Sequence, residues 1–395
     1  MKKAKKIAII SSHPIQYNAP LFALLAKEPE IELIVFYTWG EQSMGAKFDP
    51  DFGKTIDWDI PLLEGYAYTF VQNTSKDPGS HHFKGIINPT LNKEIEHWGA
   101  DVVWVWGWSF DSHLKAMRYF KGKISVWFRG DSTLLDESKG FSLKKIVRRI
   151  FLTWVYRHVD KAYFVGTHNK AYYRKYGLKD TQLVYAPHAI DNDRFSDASG
   201  EKTIRALQWR KELGFSDSDF IILFAGKFEK KKNPSFIIEL AKKNSSSTIK
   251  FLMVGNGILE AELKSETKND PRFVFLDFQN QSRMPILYRV ADIFILPSIG
   301  PGESWGLAMN ESLASGTRVL GSKFCGGAID LIKKDYGVHF NPTLDLKHII
   351  KNIPIMIKEK NKLSEKKDFF QIPSYLDIIK SVKNELKKDN IITLI

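Results

Sequence analysis

The chain has 395 residues, 43% of them hydrophobic, and carries 58 Lys and Arg against 45 Asp and Glu, a formal net charge of +13. That length exceeds one ordinary core and suits two domains of roughly 150–200 residues, and the cationic excess suits an anionic partner such as a nucleotide, a nucleic acid or a membrane face. The single cysteine, Cys325, excludes an internal disulfide framework, and no window approaches the roughly 18 uncharged apolar residues of a membrane span, so a cytoplasmic protein is expected.

The N-terminal apolar run, Ile7 to Ile10, is too short for the core of a secretory signal and predicts a first buried strand. Short β-branched runs then alternate with helical patterns: KIAIIS before APLFALLAKE, IELIVFY, DVVWVW before SHLKAMRYF, KISVWF before a long basic helix from Ser142, and KAYFVG before NKAYYRKYG. Strands alternating with helices imply a parallel sheet covered on both faces. Around residues 187–203, PHAIDNDRFSDASGEKT loses apolar periodicity and reads as the linker. A second series follows, FIILFAG, IKFLMVG, RFVFLD, DIFILPS and RVLGS with helices between, and Pro373 to Lys388 has a helical pattern. The expected fold class is therefore α/β with two successive domains, 1–195 and 196–372, and ligands are expected beyond the carboxyl ends of the strands.

In the second domain, FIILFAG runs into GKFEKKKNP, which puts Lys227 and Lys230 to Lys232 at a strand end. Each reads either as a solvated loop cation or as a ligand to a diphosphate. Gly255, Asn256 and Gly257 also follow a strand and are placed to touch phosphate or base, but Glu260 stands at the third glycine position of a dinucleotide fingerprint, so a nicotinamide or flavin cofactor is not expected. In IGPGESWG, after DIFILPS, Gly300, Gly302 and Gly306 allow backbone N–H groups to approach an anion at the start of a helix that ends at Gly316. Glu303 lies in that loop and Glu311 on the helix. Eight helical residues would leave the two carboxylates about 80° and about 12 Å apart, too far to share one bond. The plain alternatives are a capping carboxylate for Glu303 and a solvated helix residue for Glu311.

Taken together, Gly226, Lys227 and Lys232 (GKFxxxK), VGNG (254–257), LPS (296–298), ESWGL followed by ESLASG (303–316) and Gly326-Gly327 resemble the retaining family-4 glycosyltransferases, group 1, of the GT-B fold. The resemblance covers the second domain, and SSHPIQYNAPLF, DVVWVWG and PHAIDNDRF extend it more loosely into the first. It implies two Rossmann-like domains facing a central cleft, with the C-terminal helix, 373–395, returning toward the first domain. It also implies that Glu311 holds the ribose of a nucleotide sugar and that Glu303 lies by the transferred sugar. The backbone of Ser304, Trp305, Gly306 and Leu307 would receive the diphosphate, which Lys227 and Lys232 neutralise. Lys227 stands where the family commonly has Arg, so the bidentate fork is lost there. The implied reaction is front-face transfer with retention, with a UDP- or GDP-sugar as donor and without metal or cofactor. Gln279, in the loop after RFVFLD, is a candidate for base contacts. A sugar-nucleotide epimerase or a phosphorylase on the same fold is the alternative, and a nucleic-acid binder has only the net charge in its favour.

The first domain is expected to hold a glycan or lipid-linked acceptor. His13, Gln16 and Tyr17 end its first strand, and Trp108 is placed to stack on a sugar. Arg129 and Asp131 stand where the family often shows His-Asp, and read either as acceptor contacts or as a turn interaction with each other. The basic stretch 142–159 carries Lys144, Lys145, Arg148, Arg149 and Arg157 without an acid, opposite Ile146, Ile150, Trp154 and Val155. It reads as an amphipathic helix packed on the sheet or, functionally, as a dock on an anionic inner membrane face.

Overall fold

The computed structural model describes residues 3–49, 52–137, 140, 142–333, 336–363 and 371–392. In chain order its strands are β1 (Lys5–Ser11), β2 (Ile31–Tyr37), β3 (Lys47–Asp49), β4 (Lys54–Ile56), β5 (Ala67–Phe70), β6 (Val102–Trp106), β7 (Ser125–Arg129), β8 (Lys161–Phe164), β9 (Leu183–Tyr185), β10 (Phe220–Ala225), β11 (Ile249–Val254), β12 (Phe273–Leu276), β13 (Ile293–Leu296), β14 (Arg318–Ser322) and β15 (Gly337–Phe340). They form two parallel sheets, ordered β5-β2-β1-β6-β7-β8-β9 and β12-β11-β10-β13-β14-β15, while β3 and β4 pair antiparallel.

Each sheet belongs to one of two compact units. The first comprises residues 1–45, 60–188 and the chain from Pro373; the second comprises 46–59 and 189–372. The strands are near-continuous apolar runs because both faces are covered: all six residues of β10 are buried, as are Ile7 to Ile10 of β1. In the first unit the core gathers Val103, Val105, Val126 and Phe128 from the sheet against Met117 and Phe120 of helix Asp111–Phe120. In the second it gathers Ile222, Phe224, Phe251 and Ile295 against Ile237 and Leu240 of helix Ser235–Lys243.

Two segments differ from the sequence reading. The stretch 187–203 is not a loose connection: Asp191 caps the short helix Asn192–Phe195 by accepting from the Arg194 N–H at 3.1 Å, Phe195 is fully buried, and Arg194 donates to the Gln281 carbonyl and side chain at 2.7 and 2.8 Å. Asx caps and a buried aromatic create order without apolar periodicity. Residues 46–59 lie within the sequence of the first half but belong to the second unit, and neither β3 nor β4 was legible, since strands of three residues carry no period.

Helix Tyr375–Ile392 belongs to the first unit. Its Tyr375 hydroxyl donates to the Tyr17 carbonyl at 2.8 Å, Lys383 meets Glu28, and Glu385 accepts Lys161 at 2.9 Å. The basic helix is Leu143–Tyr156, N-capped by Ser142. It buries Leu152, Val155 and Tyr156, but Ile146 and Ile150, expected to pack, are exposed together with Leu143 and Val147. Only its last turns have sheet beneath them; the first turns present apolar and cationic side chains together.

Candidate functional site

The carboxyl ends of β10, β13 and β14 bring three sequence-distant segments of the second unit together. Lys232, in the turn after β10, donates to Glu303 Oε2, closing 71 residues of chain. Ser298, completely buried just past β13, donates to the same oxygen at 3.2 Å. The loop itself is clamped from the segment after β14: Gly326 N donates to the Glu303 carbonyl and Gly327 N to that of Trp305, each at 3.0 Å. Glu303 is 8% exposed, so its carboxylate is held by one cation and one hydroxyl in a mostly water-free place. Neither plain alternative for the two glutamates describes what is found. Helix Leu307–Ala314 has Gly306 at its N-cap position and no side-chain cap bond, so Glu303 does not cap it. Glu311 is 2% exposed and accepts the Tyr288 hydroxyl at 2.8 Å, so it is not solvated.

The neighbouring groups explain why this loop has its sequence. Gly306 adopts φ 87°, and a Cβ there would meet Leu296 and Met309 at 2.9 Å. Trp305 is buried, donates its indole N–H to Asn310 at 2.8 Å and lies against Gly327. Of Trp305, then, only the backbone is placed to meet a ligand. The Cys325 thiol is pushed far above its ordinary pKa by burial and by the Glu303 carboxylate, which leaves it an inert packing group.

The VGNG segment binds protein first. A Cβ on Gly255 would come within 2.0 Å of the Gly226 carbonyl, so this glycine lets two strand-end loops touch. Asn256 spends its side chain on Glu260 (2.9 Å), on Asp277 (3.0 Å) and on the Phe278 N–H (2.9 Å), fixing the loop after β12. Gly257 packs on the Phe228 backbone, and Gln279 donates to the Asp277 carbonyl at 2.8 Å. Lys227 is gripped by Asp49, with both carboxylate oxygens 3.1 Å from Nζ. Sequence reasoning missed Asp49, Tyr288 and Ser298. The LPS triplet pointed to Ser298; nothing pointed to Asp49, which arrives from 178 residues away.

In the first unit, Arg129 at the end of β7 is 4% exposed and donates to the Ala186 and Pro187 carbonyls at 2.7 and 3.0 Å, with its guanidinium 5.1 Å from the Trp106 ring. Burial pushes its pKa down to about 10. This corrects both sequence readings: the guanidinium ties β7 to the chain end of β9 and makes no turn bond with Asp131. Asp131 instead faces His188 at 3.8 Å, and burial holds that imidazole below its ordinary pKa. His188 sits in PHAID, the motif that could have identified it. His13 is half-buried, with Nδ1 2.9 Å from the Ser12 hydroxyl and its ring edge-on to Trp39 at 5.3 Å. Gln16 and Tyr17 are half-buried beside it in sequence, and Trp108 packs on the first core and against Phe151 at 5.6 Å. Among the described residues, the loop after β5 gathers one trio of metal-capable side chains, Asp77, His81 and His82, none of them a predicted site residue.

Residues 206–368 match the family model for Glycosyl transferases group 1. The alpha-galactosylglucosyldiacylglycerol synthase of Streptococcus pneumoniae is 29% identical over 129 residues, 31% of this chain and 33% of that protein. The UDP-Gal:alpha-D-GlcNAc-diphosphoundecaprenol alpha-1,3-galactosyltransferase of Escherichia coli is 26% identical over 163 residues, 39% of this chain and 40% of that protein. The chain thus matches only about a third to two fifths of the length of these relatives. Among solved structures, Anabaena HepE in complex with UDP and glucose superposes with a TM-score of 0.65 at 15% identity, covering 97% of this chain and 100% of that one. The chain therefore has the two-domain GT-B fold, and the part of it that is similar to Glycosyl transferases group 1 is the part that carries Lys227, Lys232, Glu303 and Glu311.

Proposed function

We propose that the protein is a retaining glycosyltransferase that moves a sugar from a nucleoside-diphosphate donor to a glycan or lipid-linked acceptor in the synthesis of a surface polysaccharide or glycolipid. The observation that carries this reading is the buried Lys232–Glu303 pair at the carboxyl ends of β10, β13 and β14, inside the segment similar to group 1 glycosyl transferases. In this reading the acceptor oxygen attacks the anomeric carbon as its bond to the diphosphate oxygen breaks, and the acceptor proton passes to the departing diphosphate. Lys232 and Lys227 offset the charge that accumulates there, and a fixed cation in a dry site is worth far more than one in water. Glu303 accepts hydrogen bonds from the sugar, and Glu311 from the ribose. No step in this scheme requires a metal.

A lipid-borne acceptor is favoured by the first turns of helix Leu143–Tyr156, whose exposed Leu143, Val147 and Ile150 stand among Lys144, Lys145, Arg148 and Arg149. An apolar face flanked by cations suits an anionic leaflet, where each cation contributes on the order of 1 kcal/mol. The names of the two curated relatives, which act on a diacylglycerol glycolipid and on a diphosphoundecaprenol, agree with this. A thermal-shift screen of UDP-, GDP- and ADP-sugars tests the donor, because a ligand bound only to the folded state raises the melting temperature. Glu303→Ala with full transfer activity would remove the site assignment, and failure to sediment with anionic liposomes at low salt would remove the membrane contact.

A further inference from the structure

Residues 46–59 leave the first half of the sequence to pack within the second unit, and they do so on both parts of the candidate donor site. β3 and β4 pair antiparallel, with Phe48 opposite Thr55 and Asp49 opposite Lys54. Asp49 grips Lys227 with both oxygens while its Oδ1 also accepts the Phe52 N–H at 3.1 Å, so one carboxylate shapes the turn and neutralises the lysine. The Phe52 ring lies 5.1 Å from Lys227 Nζ and, edge-on, 5.1 Å from the ring of Phe278. Trp58 meets Phe278 from its own side at 6.3 Å. Lys54 pairs with Asp277 at 2.8 Å, and the Asn280 amide donates to the Asp57 carbonyl at 2.5 Å. One short segment therefore touches the lysine assigned to the diphosphate and the loop assigned to the base.

We propose that this segment is the outer wall of the donor pocket, in which Asp49 holds the phosphate place on Lys227 until a nucleoside diphosphate displaces it, while Phe52 faces the base. The inference rests on the donor-site reading above. Its chemistry is a simple exchange: a carboxylate bears one negative charge and a diphosphate two or more, so the ligand wins the lysine at the cost of separating the resident pair. Both partners are partly exposed, 23% for Lys227 and 29% for Asp49, so that cost is modest and the exchange reversible. A nucleotide-free enzyme would thus keep Lys227 aimed and its charge covered.

The test is calorimetric titration of the full chain with UDP, GDP, ADP and inorganic pyrophosphate. Asp49→Asn keeps the acceptor for Phe52 N–H and removes the charge, so it should tighten both the preferred nucleotide and pyrophosphate about three- to fivefold. Phe52→Ala should weaken the nucleotide about tenfold, as loss of an aromatic face against a base does, and leave pyrophosphate within twofold. If the wild type binds a nucleotide but Asp49→Asn leaves its affinity unchanged or weaker, the proposal falls alone. A Phe52→Ala that weakens nucleotide and pyrophosphate equally overturns the base contact. If the wild type binds none of the three nucleotides, the donor-site reading falls, and this inference with it.

Discussion

The carboxyl edges of the two sheets use charge in opposite ways. In the second unit the charged groups at strand ends meet other side chains: Lys232 meets Glu303, Lys227 meets Asp49, and Glu311 meets a tyrosine hydroxyl. In the first, the most prominent charge, Arg129, is spent on two backbone carbonyls, and His113 is fully enclosed between Gly107 and Thr38, with Nδ1 2.7 Å from the Gly107 carbonyl and Nε2 2.8 Å from the Thr38 hydroxyl. Side-chain pairs can exchange partners with an incoming ligand, whereas bonds to backbone are part of the scaffold. The difference separates an edge ready for an anionic donor from one whose deepest polar groups hold the fold.

The sharpest way to break this contrast is Glu303→Gln, which keeps the shape and removes the charge. It is expected to lower kcat by about 10²–10³ while leaving the melting curve nearly in place, the magnitude typical of removing one preorganised electrostatic contact. Equal losses of activity and stability would mean that Glu303 is scaffold after all.

The first unit should fail in the other sense, through stability with pH. Burial depresses the pKa of His113 from its ordinary 6.5 to about 4, so the unfolded chain binds a proton that the native state refuses. Its contribution is intact above pH 6.5 and is lost as the pH falls toward 4, by about 3 kcal/mol in all. Urea midpoints measured from pH 7 to pH 4 should fall by this amount in the wild type, and the component should be absent in His113→Gln. A smaller effect follows for Arg129→Met, which strands the Ala186 and Pro187 carbonyls: a loss of about 2 kcal/mol in stability, with the acceptor KM per folded molecule unchanged. A raised acceptor KM at constant stability would return Arg129 to the acceptor site.

How much of this could be read from the sequence follows the same division. The strands of both sheets that carry apolar runs were legible because a doubly covered parallel strand has no polar face to disguise it; β10 and β13 match their runs closely. The loop holding Glu303 was legible because small residues and a carboxylate between a strand and a helix have few other uses. The partners were not. Asp49 and Tyr288 are ordinary residues locally and acquire meaning only when 178 and 23 residues of chain are closed. Arg129 misled for the reverse reason: a cation at a strand end predicts an anionic ligand unless the neighbouring strand's chain end supplies carbonyls, which tertiary structure alone decides.

Ser298 gives the finest test of the contrast, because it is completely buried like a scaffold residue yet donates to the candidate reacting carboxylate. Removing its hydroxyl by Ser298→Ala deletes one of two partners of Glu303 Oε2 and leaves Lys232 in place. A neutral donor of this kind is worth about 1 kcal/mol, so kcat should fall about three- to tenfold. The hole left by one oxygen is small, so the urea midpoint should move little. If Glu303 is held for catalysis, the loss appears in kcat and is partly restored by Ser298→Thr, which retains the hydroxyl. If the bond only packs the loop between β13 and helix Leu307–Ala314, the same substitution costs stability and spares turnover, and the second unit's edge is then built like the first's.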